Sequence, residues 1–261
     1  MPEFIAWIGI GMGAGVLAGL LGIGGGLVIV PAMTALLLAR GAALDLALPM
    51  AVATALGSML LTSASSAWAH ARRGNLDWRA ALRLGPAVAV GSALGAWLAS
   101  EIPGQALARV FAVLVGLIAL RMLLTLEPTP RSSLPAARGW WWFGPISGAL
   151  SAMVGIGGGS FNVPYLRFNG YPMLASVGTA AACGWPIALA GSATFMLQGL
   201  GRVEWPGSLG FVHLNAAVTI GLVGAMTAPA GVWLAGRIGS AALTRLFALF
   251  LLLVAGRMAL Q

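Results

Sequence analysis

The sequence predicts an all-α polytopic membrane protein built from two inverted repeats, and three observations carry that prediction. Hydrophobic residues make up 59% of the 261-residue chain and charged residues only 8%, whereas soluble domains carry roughly 25% charged residues. The apolar stretches are continuous and approach the roughly 20 residues that a helix needs to cross the hydrocarbon core; a membrane β-barrel would show alternating segments of about ten. The phrase GIGGG followed by Val-Pro occurs twice, at 22–31 and at 155–164.

Ten apolar segments follow in order. The first half has 4–21, 27–39, 46–69, 80–100 and 105–124; the second has 140–154, 160–169, 172–199, 211–235 and 241–260. In each half the last three are long enough to span and the first two are not, which reads as a short broken or re-entrant hairpin followed by three full helices, or about 8–10 membrane segments. Gly11, Gly15 and Gly19 in the first segment form a small-residue face suited to close helix packing. In the second segment the β-branched run Val28-Ile29-Val30 favours an extended approach to Pro31, which then opens a short helix, as Pro164 does in the other half. GNLDW at 74–78 answers GRVEW at 201–205. ALARVFAVLVGLIALRM at 106–122 answers ALTRLFALFLLLVAGRM at 242–258, pairing Arg109 with Arg245 and Arg121 with Arg257. The chain therefore divides into a first transmembrane repeat (1–125), a cytoplasmic linker (126–139) and a second repeat (140–261), the arrangement of transporters built by duplication.

The charge of +8 comes from 14 arginines and no lysine. They stand singly or in short groups between apolar segments, which excludes a nucleic-acid face and points to membrane orientation. Arg72, Arg73, Arg79 and Arg83 fill one loop, while its counterpart holds Arg202 offset by Glu204. The positive-inside rule places the first loop in the cytoplasm and leaves the second outside. With Arg131, Arg138 and Arg237 also inside, the halves are inverted and both termini lie outside the cell membrane. The N-terminal stretch MPEFIAWIGIGMG has no basic leader or cleavage pattern and reads as mature protein. Trp140-Trp141-Trp142 reads as an interfacial aromatic belt.

The candidate site follows from the glycines. Non-helical backbone at membrane depth is tolerated only when buried in protein or lining a polar cavity. Glycines let backbone N–H groups turn toward a ligand, and N–H groups at a helix start attract anions. Gly24, Gly25 and Gly26 with Gly157, Gly158 and Gly159 are the predicted anion cradle, joined by Ser160 and Asn162 inside the second phrase. Thr54 and its repeat partner Thr179, with Ser58 one turn from Thr54, are predicted polar contacts at depth. Glu3, Asp45, Asp77, Glu101, Glu127 and Glu204 are the six acids, and all lie at segment ends or in loops. A cation pathway or carboxylate relay needs an acid within the membrane, so neutral donors and helix dipoles suit a small anion instead. His70 and His213 border segments and read as interfacial. With a single cysteine, Cys183, and two distant histidines, neither a metal site nor any organic cofactor is expected.

At these residues the chain resembles the sulfite exporter TauE/SafE family of four-segment-repeat sulfite and sulfonate permeases. The resemblance rests on the two glycine–proline phrases, each followed by an Ala53-Thr54 or Gly178-Thr179 pair, and covers essentially the whole chain. It implies about eight spans and the movement, by export, of sulfite, a sulfonate or a related sulfur-containing or organic anion. An alternating-access carrier is the leading reading and a passive anion channel its alternative. An intramembrane hydrolase pairing Ser160 with His213 or His70 is the third, and is disfavoured because Leu27 replaces the serine in the first phrase. The expected partners are the anion and the lipid bilayer, without nucleic acid; homo-oligomerisation is left open.

Overall fold

A computed structural model describes residues 2–21, 24–124, 137–235 and 240–259. The chain runs α1 (Pro2–Leu21), α2 (Gly26–Ala39), α3 (Leu44–Ala71), α4 (Trp78–Glu101) and α5 (Gly104–Leu123). It continues through α6 (Ala137–Val154), α7 (Gly159–Phe168), α8 (Met173–Gly199), a small antiparallel hairpin of β1 (Ser208–Leu209) and β2 (Val212–His213), α9 (Leu214–Ala235) and α10 (Ser240–Ala259). Among the described residues, six helices are long and apolar enough to cross a membrane: α1, α3, α4, α5, α8 and α9. The linker expected at 126–139 lies outside the described residues as far as 136, and 137–139 belong to α6.

Several expectations are corrected. The first segment is a 20-residue helix rather than a short arm, so the broken hairpin pairs one spanning-length helix with the 14-residue α2. Both α2 and α7 start at the last glycine of their phrase, leaving Pro31 and Pro164 inside helices instead of in their first turns. Val28, Ile29 and Val30 are helical, because a buried segment must satisfy its own backbone and this outweighs β-branched preference. The segment expected from 211 begins at Leu214, its first residues being taken by the hairpin. Trp140 is 5% exposed and sits edge-on to Tyr165; only Trp141 and Trp142 face outward.

Packing is reciprocal between the halves. α1 lies on α9, and its counterpart α6 lies on α4; α3 packs on α9 and α8 on α4; α3 meets α8, and α5 meets α10. Small residues make these approaches. A side-chain carbon added at Gly11 would stand 2.9 Å from Val223 Cβ, and Gly15 and Gly19 face the Gly224 and Ala228 carbonyls of α9. Gly91 and Gly95 of α4 face the Pro145 and Ala149 carbonyls of α6 in the same manner. Such contacts let backbones come together where lipid tails give helices no hydrophobic drive to associate. α3 and α8 form the buried centre, onto which α2 and α7 are laid.

Candidate functional site: two glycine turns against the central helices

The two glycine phrases meet. A carbon added at Gly24 would lie 3.2 Å from Gly157 Cα, and one at Gly26 would run into the Gly155 carbonyl oxygen. Gly24 is also level with Met59, whose Cε stands 2.7 Å from the same added atom, near the middle of the 28-residue α3. Gly24 and Gly25 have φ of 74° and 79°, left-handed values that favour glycine. Gly25 then caps α2, its carbonyl accepting from the Val28 and Ile29 amides at 3.1 and 3.2 Å. In the second phrase the left-handed residue is Gly155, at φ 69°. Gly158, the residue preceding α7, is right-handed at φ −56°.

Between the turns and the central helices lies a narrow gap lined by Ala18, Gly24, Ser63, Ser66, Gly157, Ala181 and Gly184. Its walls stand too close to admit a water molecule. Gly184 of α8 closes it, an added carbon there lying 3.2 Å from Ser63 Cβ and 4.0 Å from the Gly158 nitrogen. The N-termini of α2 and α7 both arrive here, bringing the positive ends of two helix dipoles. Around this place several polar atoms are buried without a hydrogen-bond partner: Ser66 Oγ, Ser160 Oγ, and both Oδ1 and Nδ2 of Asn162. Ser66 is 1% and Asn162 0% exposed. Leaving such groups unpaired costs about 1–3 kcal/mol each; Ser160 and Asn162 lie in the first turn of α7, and Ser66 lies on α3.

Of the residues predicted from sequence, Gly24 and Gly157 line the gap. Gly26 and Gly158 shape it from behind, against Gly155 and Asn162 respectively, Gly159 opens α7, and Gly25 packs on Ala14 of α1, whose carbonyl oxygen is 2.7 Å from an added carbon. Thr54, Thr179 and Ser58 stand elsewhere. Thr54 Oγ1 accepts the His213 amide at 3.0 Å and Thr179 Oγ1 accepts the Asp77 amide at 3.1 Å, so each threonine fixes the residue that precedes a helix of the other half. His213 then caps α9 through Nδ1, which accepts from the Ala216 amide at 3.3 Å; Asp77 caps α4, accepting from the Arg79 and Ala80 amides. Burial holds the His213 imidazole below its ordinary pKa, with Arg40 adding to the effect, and the neutral ring is the form whose Nδ1 can accept. Ser58 Oγ donates to Ala55 O within α3.

The serine–histidine pair that a hydrolase would need is not formed: Ser160 Oγ has no partner, and His213 is engaged as a helix cap. His70, in the last turn of α3, is enclosed by protein. It is 1% exposed, and neither ring nitrogen has a hydrogen-bond partner. Sequence reading passed over Ser63, Ser66, Ala18, Ala181 and Gly184. The serines at least left a signal, the hydroxyl-rich run TSASS at 62–66; which face of α3 they occupied was visible only once α8 and the turns were in place.

The profile of the family described as "Sulfite exporter TauE/SafE" matches residues 7–258. A probable membrane transporter protein of Haemophilus influenzae is 32% identical over 261 residues, covering 97% of this chain and 96% of that protein. Two probable membrane transporter proteins of Bacillus subtilis also match: YdhB at 29% identity over 71% of this chain and 76% of its own length, and YunE at 24% over 92% and 88%. No solved structure matches.

Proposed function

The chain belongs to the sulfite exporter TauE/SafE family of multi-pass membrane transporters, and from that premise we propose that it exports a small sulfur-containing or organic anion, such as sulfite or a sulfonate, held where the two glycine turns meet. The observation that supports this reading is the convergence of two helix N-termini on a narrow gap lined by Ser66, with Ser160 and Asn162, whose polar atoms are also unpaired, in the first turn of α7. Helix N-termini and backbone N–H groups stabilise negative charge, and hydroxyl and amide groups bind oxyanion oxygens without requiring a counter-charge. Gly24, Gly26, Gly157, Gly158 and Gly159 give the anion access to backbone, Ser160 and Asn162 contact it, and Thr54 and Thr179 act indirectly by holding the starts of α9 and α4.

The halves are inverted about this place, with both termini outside the cell membrane. Ion pairs and hydrogen bonds at the helix ends support the assignment. Arg40 pairs with Glu3, Arg202 Nη1 reaches Glu101 at 2.6 Å, and the Gly104 amide donates to Asp45 at 2.6 Å; all these groups belong to the end assigned outside. Arg73 Nη1 donates to Val232 O at 2.8 Å, joining the arginine loop to the end of α9 assigned inside. Cysteines introduced at Asn75 and Gly207 should label from opposite faces, and labelling from one face would require a parallel duplication.

Proteoliposomes loaded with radiolabelled sulfite test the function. Saturable efflux that is accelerated by unlabelled anion on the other side is the expected result. Non-saturating flux without counterflow would establish a channel, and absence of flux for sulfite and simple sulfonates alike would overturn the substrate class.

A further inference from the structure

α3 is polar along one face where its counterpart α8 is not. Counting from the paired threonines Thr54 and Thr179, residues Ser63, Ser66 and His70 of α3 correspond to Ala188, Gly191 and Phe195 of α8. Spacings of three and four place Ser63, Ser66 and His70 in one stripe. The stripe starts in the gap, where Ser63 and Ser66 are lining residues, and ends one turn further at His70, beside Arg72 and Arg73 at the end of the helix. The corresponding α8 stripe ends in Phe195, fully buried and edge-on to Phe211 at 6.1 Å. From the gap, the α3 stripe thus runs through hydroxyls to an imidazole, and the matching α8 stripe ends in an aromatic pair.

The surroundings of His70 are those of an anion contact awaiting its anion. Both ring nitrogens are unpartnered in a side chain that is 1% exposed. The Gly19 backbone of α1 approaches the ring without completing a hydrogen bond, and Gly178 of α8 presses on it, an added carbon there lying 3.0 Å from His70 Cβ. The charged group acting on the ring is Arg73, tethered to Val232 O; Arg72 lies over Trp68, 3.9 Å from the ring centre. Asp77, the acid of the adjoining loop, is committed to capping α4. α8 and α9 carry no charged residue, and α1 has only Glu3, at its far end. Positive charge thus lies beside an unpaired imidazole, and an anion entering between them would offset that charge and favour the protonated ring.

We propose that Ser66 and His70 form the anion's passage from the glycine turns to the Arg72–Arg73 end, with His70 binding the passing anion as an imidazolium. The proposal rests on the anion-transport reading above and adds to it a route, a second contact and a linkage between proton and anion binding. Since the ring must be protonated to pair with the anion, affinity rises as pH falls.

The test is efflux kinetics of full-length protein in proteoliposomes, with methanesulfonate as the probe because its own charge is constant over the range of about pH 5.5 to 8 in which histidine titrates. In the wild type, KM should fall as pH is lowered, by up to about tenfold per unit where the imidazole titrates. His70→Gln keeps a hydrogen-bonding group without the charge; it should raise KM about 10- to 100-fold at low pH and flatten the pH profile. His70→Arg should restore low KM with a flat profile, a rescue that a packing role would not give. Ser66→Ala, which removes one hydroxyl at nearly constant volume, should raise KM several-fold and leave the pH slope intact. Unchanged KM and slope in His70→Gln, or in Ser66→Ala should the histidine variants fail to fold, would overturn this proposal while leaving the transporter reading standing. A wild type that moves neither methanesulfonate nor sulfite would overturn both.

Discussion

The two glycine turns share a sequence and differ in construction. The first places left-handed φ at Gly24 and Gly25, immediately before α2. The second has its left-handed residue at Gly155 and enters α7 through a right-handed Gly158. After the turn, the first half continues with Leu27 and Ile29, both fully buried, and the second with Ser160 and Asn162, whose polar atoms are unpaired. The first turn is thus a backbone scaffold packed on Ala14 and Gly155, while the second also carries side-chain chemistry. The same glycine phrase thus takes two backbone conformations, and unpaired polar side chains follow the second alone.

Substitutions at the glycines should separate these roles most strongly. In the first turn, Gly26→Ala drives a methyl into the Gly155 carbonyl, and Gly25→Val adds a branched side chain at φ 79°, next to Ala14 O. Each is expected to cost about 3 kcal/mol or more, in the range of severe backbone strain and overpacking, and to appear as loss of folded protein after detergent extraction. Gly158→Ala has a permitted φ and meets chiefly the movable Asn162 amide, at 2.5 Å. It should keep stability within about 1 kcal/mol and raise the KM for sulfite. Equal tolerance in both turns, read by thermal unfolding, would erase the distinction.

Asn162→Val gives the second turn the apolar character that Ile29 gives the first. Removing an unsatisfied buried amide should leave stability unchanged or raise it by about 1 kcal/mol, whereas KM should rise about tenfold or more. Opposite signs for stability and affinity are the signature of a binding group. A parallel loss of both would make Asn162 a packing residue.

Thr54 and Thr179 offer the symmetric control. Thr54→Val and Thr179→Val each remove one hydrogen bond to a helix start in the other half, so each should lower stability by about 1 kcal/mol and leave KM within about twofold. A larger change in KM for either would place that hydroxyl on the anion.

The smallest expected effect concerns the caps that the two threonines hold. His213 titrates below its ordinary value in the folded protein, so between that lowered pKa and about 6.5 the unfolded chain binds more protons. Its stabilisation is complete above about pH 6.5 and is lost as pH falls through the folded pKa. Thermal unfolding followed from neutral to mildly acidic pH should show this decline, and His213→Asn, which retains a capping oxygen, should flatten it.

Composition and duplication by themselves determined the class: too few charges and too many long apolar stretches for anything but a helical membrane protein, with the repeat visible from Thr54 and Thr179 to Arg109 and Arg245. The glycine phrases could be identified as special because a cluster of helix-weakening residues at membrane depth must have a backbone reason. Sequence could not decide the length of α1, the helical state of Val28–Val30 or the helical position of Pro31, since each depends on burial against α9 or α3 overriding local preference. Tertiary structure alone decided which polar groups were already satisfied. Thr54 and Thr179, equal in sequence to any candidate ligand contact, are engaged by amides from the opposite half, while Ser66, Asn162 and His70 are buried without partners. A hydrogen bond between residues more than a hundred positions apart leaves no local trace in the chain, so only the packing of α3 against α8 and of the two turns against each other separates a hydroxyl engaged in the structure from one without a partner.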